Sequence, residues 1–189
     1  MRQIKILAVI AGMLSCVVAH AGDVYKYVDE RGVTLYTDKP MPGAVLVSRD
    51  VQPGQSYTYP DHPATSGYHD PSPLPIPPRV YTEPINETNA VHNLEHGAVI
   101  MYYRQAGDDA LPQDVVDRLA TIANGGHNTI LAPYSPLPDG TALALAAWNK
   151  LQTCPSTTTA AQAATIANGF IDAFLCTSNA PEGNLGEGC

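Results

Sequence analysis

The sequence predicts an α+β fold in which two helices pack on an antiparallel or mixed sheet, with the core order β-α-β-β-α. Short apolar runs such as 98–103 have the length of buried strands, whereas residues 112–124 and 160–175 repeat their apolar positions with the period of a helix. Helices that pack on one sheet form a layered domain. The length of 189 residues suits one such domain with a small appendage.

Local signals mark each element of this core. Pro112 and Asp114 begin the first helix and Gly125-Gly126 end it. Strands are predicted at 98–103, 129–132 and 142–148; the last could also be a helix, because Ala and Leu favour helices, but the flanking Pro-rich turn favours a strand. The predicted buried faces are Val115, Val116, Leu119, Ile122 and Ala123 in the first helix, and Ala163, Ile166, Ala167, Phe170, Ile171 and Phe174 in the second.

Two further regions precede this α+β domain, which spans 85–189. Residues 22–52 alternate apolar and polar positions around turn residues, which predicts a small β meander. Residues 53–84, the proline-rich segment, hold nine of the chain's 17 prolines, which excludes a helix or a central strand. The segment is either a disordered linker or an extended strap across the α+β domain. Its four tyrosines favour the strap, which would then belong to that domain.

The first 21 residues predict a secretory signal peptide. Arg2 and Lys5 precede a short apolar stretch, and Ala19-His20-Ala21 forms a small-x-small cleavage site. We therefore expect cleavage after Ala21 and a periplasmic or secreted product, with lipidation at Cys16 as the alternative. The apolar stretch is too short for a membrane span, so we do not expect an integral membrane protein.

The net charge restricts the partners. Cleavage would remove two basic residues and no acidic one, which moves the formal charge from -8 to -10. Such an acidic chain is a poor ligand for nucleic acid or for an anionic membrane. We expect no nucleic-acid partner.

Three cysteines would remain in the exported chain, so one disulfide and one thiol are expected in an oxidising compartment. The predicted helix 160–175 separates Cys154 from Cys176 by about 24 Å, whereas a bridge needs Cα atoms within about 7 Å. We predict that Cys189, which ends a Gly-rich tail, is bonded, and we favour Cys154 over Cys176 as its partner.

Residues 91–97 contain two histidines and a glutamate within a short stretch. His92 and His96 are spaced to share one face of a helical turn, with Glu95 between them and His69 upstream. Three imidazoles suit copper(II) or zinc(II), of which copper binds tighter in general. We therefore predict a transition-metal site at His69, His92 and His96, completed by Glu95, by the soft Met101 or by water.

The chain resembles two families of unknown function. Residues 63–69, 80–81, 91–97, 147–148 and 180–182 resemble domain-of-unknown-function family 3105, through its Thr-Ser-Gly-x-His and Leu-Glu-His-Gly blocks. Residues 24–29, 32–33 and 36–40 resemble domain-of-unknown-function family 4124, which occurs near the N-terminus of exported bacterial proteins. The resemblances imply an exported or membrane-tethered bacterial domain and bring no established activity.

Two alternatives to the metal site remain open. The first is a buried His/Glu network in a structural or interaction module of the cell envelope, with another envelope protein as partner. The second is a small zinc hydrolase, because His92-x-x-Glu95-His96 matches an H-x-x-E-H signature. That motif needs a long supporting helix, whereas Gly97 and a strand follow at once. Enzyme activity is therefore the less favoured expectation.

Overall fold

The computed structural model describes residues 24–28, 34–37, 42–43, 45–48, 57–59, 62–183 and 189. The predicted signal peptide and its cleavage site lie outside these residues. Within the described ranges, no helix has both the length and the apolar character needed to cross a membrane.

Three short strands near the N-terminus form an antiparallel sheet: β1 (Val24–Val28), β2 (Thr34–Thr37) and β3 (Val45–Ser48). The strand order is β2-β1-β3, with β1 in the centre. A meander would place the strands in sequence order, so the predicted topology is corrected here. The third strand returns to the open edge of β1 instead of pairing with β2.

The second sheet is mixed and has four strands in the order β5-β4-β6-β7. Its central pair, β4 and β6, is antiparallel, whereas β4 and β5 run parallel. The elements are α1 (Glu87–Glu95), β4 (Val99–Tyr103), α2 (Gln113–Gly125), β5 (Thr129–Pro133), β6 (Leu143–Ala147), β7 (Lys150–Cys154) and α3 (Ala160–Phe174). The α+β class and the mixed sheet are confirmed, but α1 and β7 were absent from the predicted order.

Alternating residues of β4 pack into two separate apolar clusters, because successive side chains of a strand point to opposite faces of the sheet. Val99, Met101 and Tyr103 belong to the cluster that contains α2 and α3. Ile100 and Tyr102 belong to the cluster that contains Ala90 and Leu94 of α1 and Leu74 of the proline-rich segment. The sheet is therefore covered on both faces, and Met101 lies on the face away from α1.

Helices α2 and α3 contact each other on the first face. In α2, Val115, Leu119 and Ala123 are buried, and Val116 and Ile122 are partly buried against the same cluster. Helix α3 begins with a capping box in which Thr159 and Gln162 bond each other's backbone N–H, an arrangement that satisfies donors left open at a helix start. Its buried residues are Ala163, Ala164, Ala167 and Phe170.

Residues 62–84 of the proline-rich segment contain no helix, and a β-bridge joins Val80 to Leu131 of β5. The Tyr81 N–H donates to the Leu131 carbonyl at 2.9 Å, and the Leu131 N–H donates to the Arg79 carbonyl at 2.8 Å. Ala64 and Leu74 are buried. The segment thus supplies residues to the second face of the sheet, beside α1.

Candidate functional site

Helix α1 contains His92 and Glu95, and the predicted site residue His96 follows directly at its end. The Asn86 side chain accepts from the Thr88 N–H and caps the start of the helix, and His96 is the cap residue at its end. His92 and His96 are four residues apart, so they lie on one face. The helix was missed in the sequence, although an Asn cap, Glu87 in the first turn and a Gly after the end are its usual signals.

The imidazoles of His92 and His96 meet through their Nε2 atoms, which are 2.9 Å apart. The ring planes differ by 11° and the ring centroids are 4.8 Å apart. On its other side, His92 Nδ1 lies 2.6 Å from the Asp70 carbonyl oxygen. Because a carbonyl only accepts, His92 Nδ1 carries a proton. In a neutral His92 ring, Nε2 then accepts from His96 Nε2.

His69 reaches the same place from the proline-rich segment. Its ring centroid lies 5.1 Å from that of His92, and its side chain is only 4% exposed. His69 Nδ1 lies 2.9 Å from the Gly67 carbonyl oxygen, and Nε2 lies 3.1 Å from Glu95 Oε2. Both ring nitrogens therefore face an oxygen, an arrangement that suits the protonated imidazole, in which both nitrogens donate.

The environment of Glu95 favours its ionised form. Burial of the carboxyl would raise its pKa, but the hydrogen bond with His69 and the charges of His69, His92 and His96 together lower the pKa below its usual range. All three imidazoles thus favour the carboxylate form of Glu95, and the ion pair with His69 keeps that carboxylate charged in a mostly buried position.

The C-terminal segment contacts the cluster at His96 and Glu95. Glu182 Oε2 lies 3.5 Å from His96 Nδ1, and the Glu182 N–H donates to the Glu95 carbonyl at 3.1 Å. The Cys176 N–H donates to the Gly97 carbonyl at 2.9 Å. Gly97 has φ +82°, and a Cβ there would lie 2.9 Å from the Cα of Gly183. Only glycine allows this turn and this approach.

The disulfide joins Cys176 to Cys189, with Cα atoms 5.5 Å apart. The predictions that Cys189 is bonded and that Cys154 does not pair with Cys176 are confirmed, but Cys154 as the partner of Cys189 is wrong. Cys154 ends β7 as a buried free thiol whose pKa is raised by burial. Helix α3 carries the chain away from Cys154, and Cys189 returns to the end of the helix where Cys176 lies.

The structure brings His69, His92, His96 and Glu95 together, and it does not bring Met101 to them. In this structure, the Nε2 atoms of the three imidazoles point into the cluster and are engaged: those of His92 and His96 with each other, and that of His69 with Glu95. No group of three or more His, Cys, Asp or Glu side chains within the described part of the chain is arranged to hold a metal ion. A bound ion would have to displace the His92–His96 hydrogen bond and the His69–Glu95 ion pair.

Sequence reasoning missed a second polar cluster on the same face. His62 Nδ1 lies 2.8 Å from Tyr134 Oη, and that hydroxyl donates to Glu87 Oε1 at 2.6 Å. Glu87 Oε1 also accepts from the Ala64 N–H at 2.7 Å. Burial, followed by the hydrogen bond to Glu87, raises the pKa of Tyr134 well above its usual range, so the cluster joins segments without supplying a reactive phenolate.

The profile of one family, described as "Protein of unknown function (DUF3105)", matches residues 50–187. The chain belongs to the DUF3105 family. A second profile, "Domain of unknown function (DUF4124)", matches residues 11–66 and so precedes the first along the chain. No curated protein and no solved structure matches the chain. All residues of the histidine cluster lie inside the DUF3105 match.

Proposed function

We propose that this DUF3105 member is an exported domain that binds one transition-metal ion, copper or zinc, through His69, His92, His96 and Glu95. One observation carries the proposal. The Nδ1 atom of each imidazole faces an oxygen outside the cluster, which belongs to Gly67, Asp70 or Glu182. Histidine ligands of metals characteristically use one nitrogen in this way and bind the metal through the other.

The inward nitrogens have distances that metal bonds can span. His92 Nε2 and His96 Nε2 are 2.9 Å apart. Two metal–nitrogen bonds of about 2.0–2.1 Å span this separation at an angle of about 90°, which is the angle between neighbouring ligands of tetragonal copper(II). Binding would require a small tilt of the His96 ring, because its Nε2 and His92 Nε2 now face each other.

Metal would compete with protons for the same atoms. The His96 Nε2 proton and the His69 Nε2 proton occupy the positions of the metal bonds, so binding should release protons and weaken as the pH falls. Since the ligands come from α1 and from the proline-rich segment, bound metal should also raise the melting temperature.

Paired substitutions of His92 test the site. His92→Asn keeps a donor near the Asp70 carbonyl and removes Nε2, whereas His92→Ala removes both. We expect titration calorimetry of tag-free protein with Cu(II) and Zn(II) to give one ion per chain. Both variants should weaken binding by at least about 100-fold, and Glu182→Gln, outside the ligand set, by about tenfold.

His127→Ala is the matched control, because His127 is exposed and lies outside the cluster. Its affinity for metal should equal that of the wild type. Wild-type protein that binds neither ion, or a His92→Asn variant that keeps the wild-type affinity, would refute the proposal.

A structural network is the second candidate, favoured by the complete pairing of the cluster without any ion. In that case His92→Ala and Glu95→Gln should lower stability, and metal should not affect the melting temperature of the wild type.

The zinc-hydrolase alternative gains no support, because α1 has nine residues and Glu95 faces His69 Nε2. Export and cleavage after Ala21 remain predictions, which mass spectrometry of the exported product would test.

A further inference from the structure

A cleft of about 520 Å³ opens beside the histidine cluster. Its lining combines apolar residues, Pro73, Leu74 and Ile76, which we call the apolar wall, with the ionisable residues Arg79, His96 and His127. The described residues that line this cleft, which we call the Arg79 cleft, include no Asp or Glu. The chain carries 18 acidic and 10 basic residues, so a cleft with only basic ionisable groups runs against its overall charge.

Among the described residues, no hydrogen bond or ion pair to the Arg79 side chain is found. The Arg79 Nε is buried, with no hydrogen bond within the described ranges. A buried polar group without a partner is rare in folded proteins and calls for an explanation. The backbone of Arg79 is fixed by the Leu131 N–H, which donates to its carbonyl at 2.8 Å. The backbone that carries the guanidinium is therefore fixed at the sheet edge, and no carboxylate in the described ranges pairs with the guanidinium.

The apolar wall is equally well fixed. The Asn93 side chain accepts from the Leu74 N–H at 2.7 Å and donates to the Leu74 carbonyl at 3.1 Å. Asn128 also lines the cleft, and its Nδ2 donates to the His96 carbonyl at 3.2 Å. These bonds position parts of the lining before any ligand arrives, which lowers the entropic cost of binding.

We propose that the Arg79 cleft binds a small organic carboxylate, with Arg79 as the anchor for the anion and the Pro73–Ile76 wall as the contact for its hydrocarbon part. A guanidinium pairs with a carboxylate through two parallel hydrogen bonds. One permanent cation matches one negative charge, and the volume lies within the usual range of small-ligand sites, about 300–1,000 Å³. The proposal requires no metal.

Metal-free protein, prepared by chelation and desalting, should be titrated with benzoate and, separately, with the uncharged isostere benzamide, followed by backbone amide NMR. We expect saturable shifts at Leu74, Asn93 and Asn128 with benzoate, and binding of benzamide at least about tenfold weaker. Arg79→Gln should weaken benzoate binding by a similar factor. Arg118→Gln, an exposed arginine on α2, should leave it unchanged.

Several results would overturn the proposal: no saturable shift with benzoate, equal binding of benzamide, or wild-type affinity in Arg79→Gln. Inorganic phosphate that binds the cleft when benzoate does not would also refute it. Because the benzoate–benzamide comparison uses the wild-type protein, it remains decisive if Arg79→Gln does not fold. Metal is absent throughout, so failure here is separate from failure of the metal site.

Discussion

The two faces of the four-stranded sheet are built in different ways. Against one face, α2 and α3 bury a continuous set of apolar residues. Against the other, the short helix α1 and the proline-rich segment combine apolar contacts with polar pairs between distant segments. We call these the helical face and the mixed face. His69, His92, His96 and Glu95 belong to the mixed face, as do most residues that line the Arg79 cleft.

The difference lies in what holds each face together. On the helical face, stability comes from the removal of apolar surface from water, an effect that depends on area and little on direction. On the mixed face, directional bonds such as those from Asn93 to Leu74 position the chain. Directional bonds can hold side chains at set distances, so this is the face on which a binding site can be built.

Truncation of a core leucine should cause the largest loss of stability. Leu119 of α2 is fully buried on the helical face. Leu119→Ala removes apolar burial and leaves a cavity, and we expect it to lower the free energy of unfolding by about 2–5 kcal/mol. Urea denaturation followed by circular dichroism measures the loss.

The neighbouring exposed position is the control, since Arg118→Ala should change stability by less than about 0.5 kcal/mol. A loss below about 1 kcal/mol for Leu119→Ala would mean that the helical face does not supply the main core.

Removal of one amide should cause the next largest loss, on the mixed face. Asn93 is buried, and Asn93→Ala leaves the N–H and the carbonyl of Leu74 without their partner. We expect a loss of about 2 kcal/mol and faster hydrogen exchange at the Leu74 amide. Asn89, also on α1, makes a single exposed bond to the Ser72 carbonyl, so Asn89→Ala should change both quantities little. Equal effects of the two changes would contradict a special role for Asn93.

The sequence predicted the helical face well because its signals are local. The periodic apolar positions of α2 and α3 and the turns around β5 and β6 lie within short windows, and those elements are present in the structure. Strand β7 was missed because four of its five residues are exposed, so no apolar alternation marks it. The sequence indicates only a helical turn at His92 and His96, because α1 has nine residues and few apolar positions to mark a longer helix.

The mixed face could be predicted only in part. The spacing of His92 and His96 placed them on one side of a turn, and the shared chemistry of imidazoles suggested His69 as a third member. Spacing could not predict the oxygens that face the imidazole Nδ1 atoms, which belong to Gly67, Asp70 and Glu182. Their positions depend on the path of backbone that is distant in sequence. The prediction of Cys154 as the disulfide partner of Cys189 was wrong for the same reason, because the pairing depends on the path of distant backbone.

The smallest expected effect concerns the charge of Glu95 and depends on pH. The pKa of Glu95 is lowered in the folded protein, so its carboxylate contributes stability above the unfolded pKa, near the ordinary value of 4.5. This contribution is lost as the pH falls through the lower, folded pKa.

The substitution Glu95→Gln tests this contribution, because the amide oxygen can still accept from His69 but carries no charge. For metal-free protein, we expect the wild type to exceed Glu95→Gln in unfolding free energy at pH 5, and the difference to shrink steadily below 4.5. Glu83→Gln, at an exposed position, should show no such trend. A difference that stays constant or grows on acidification would mean that the charge of Glu95 does not stabilise the mixed face.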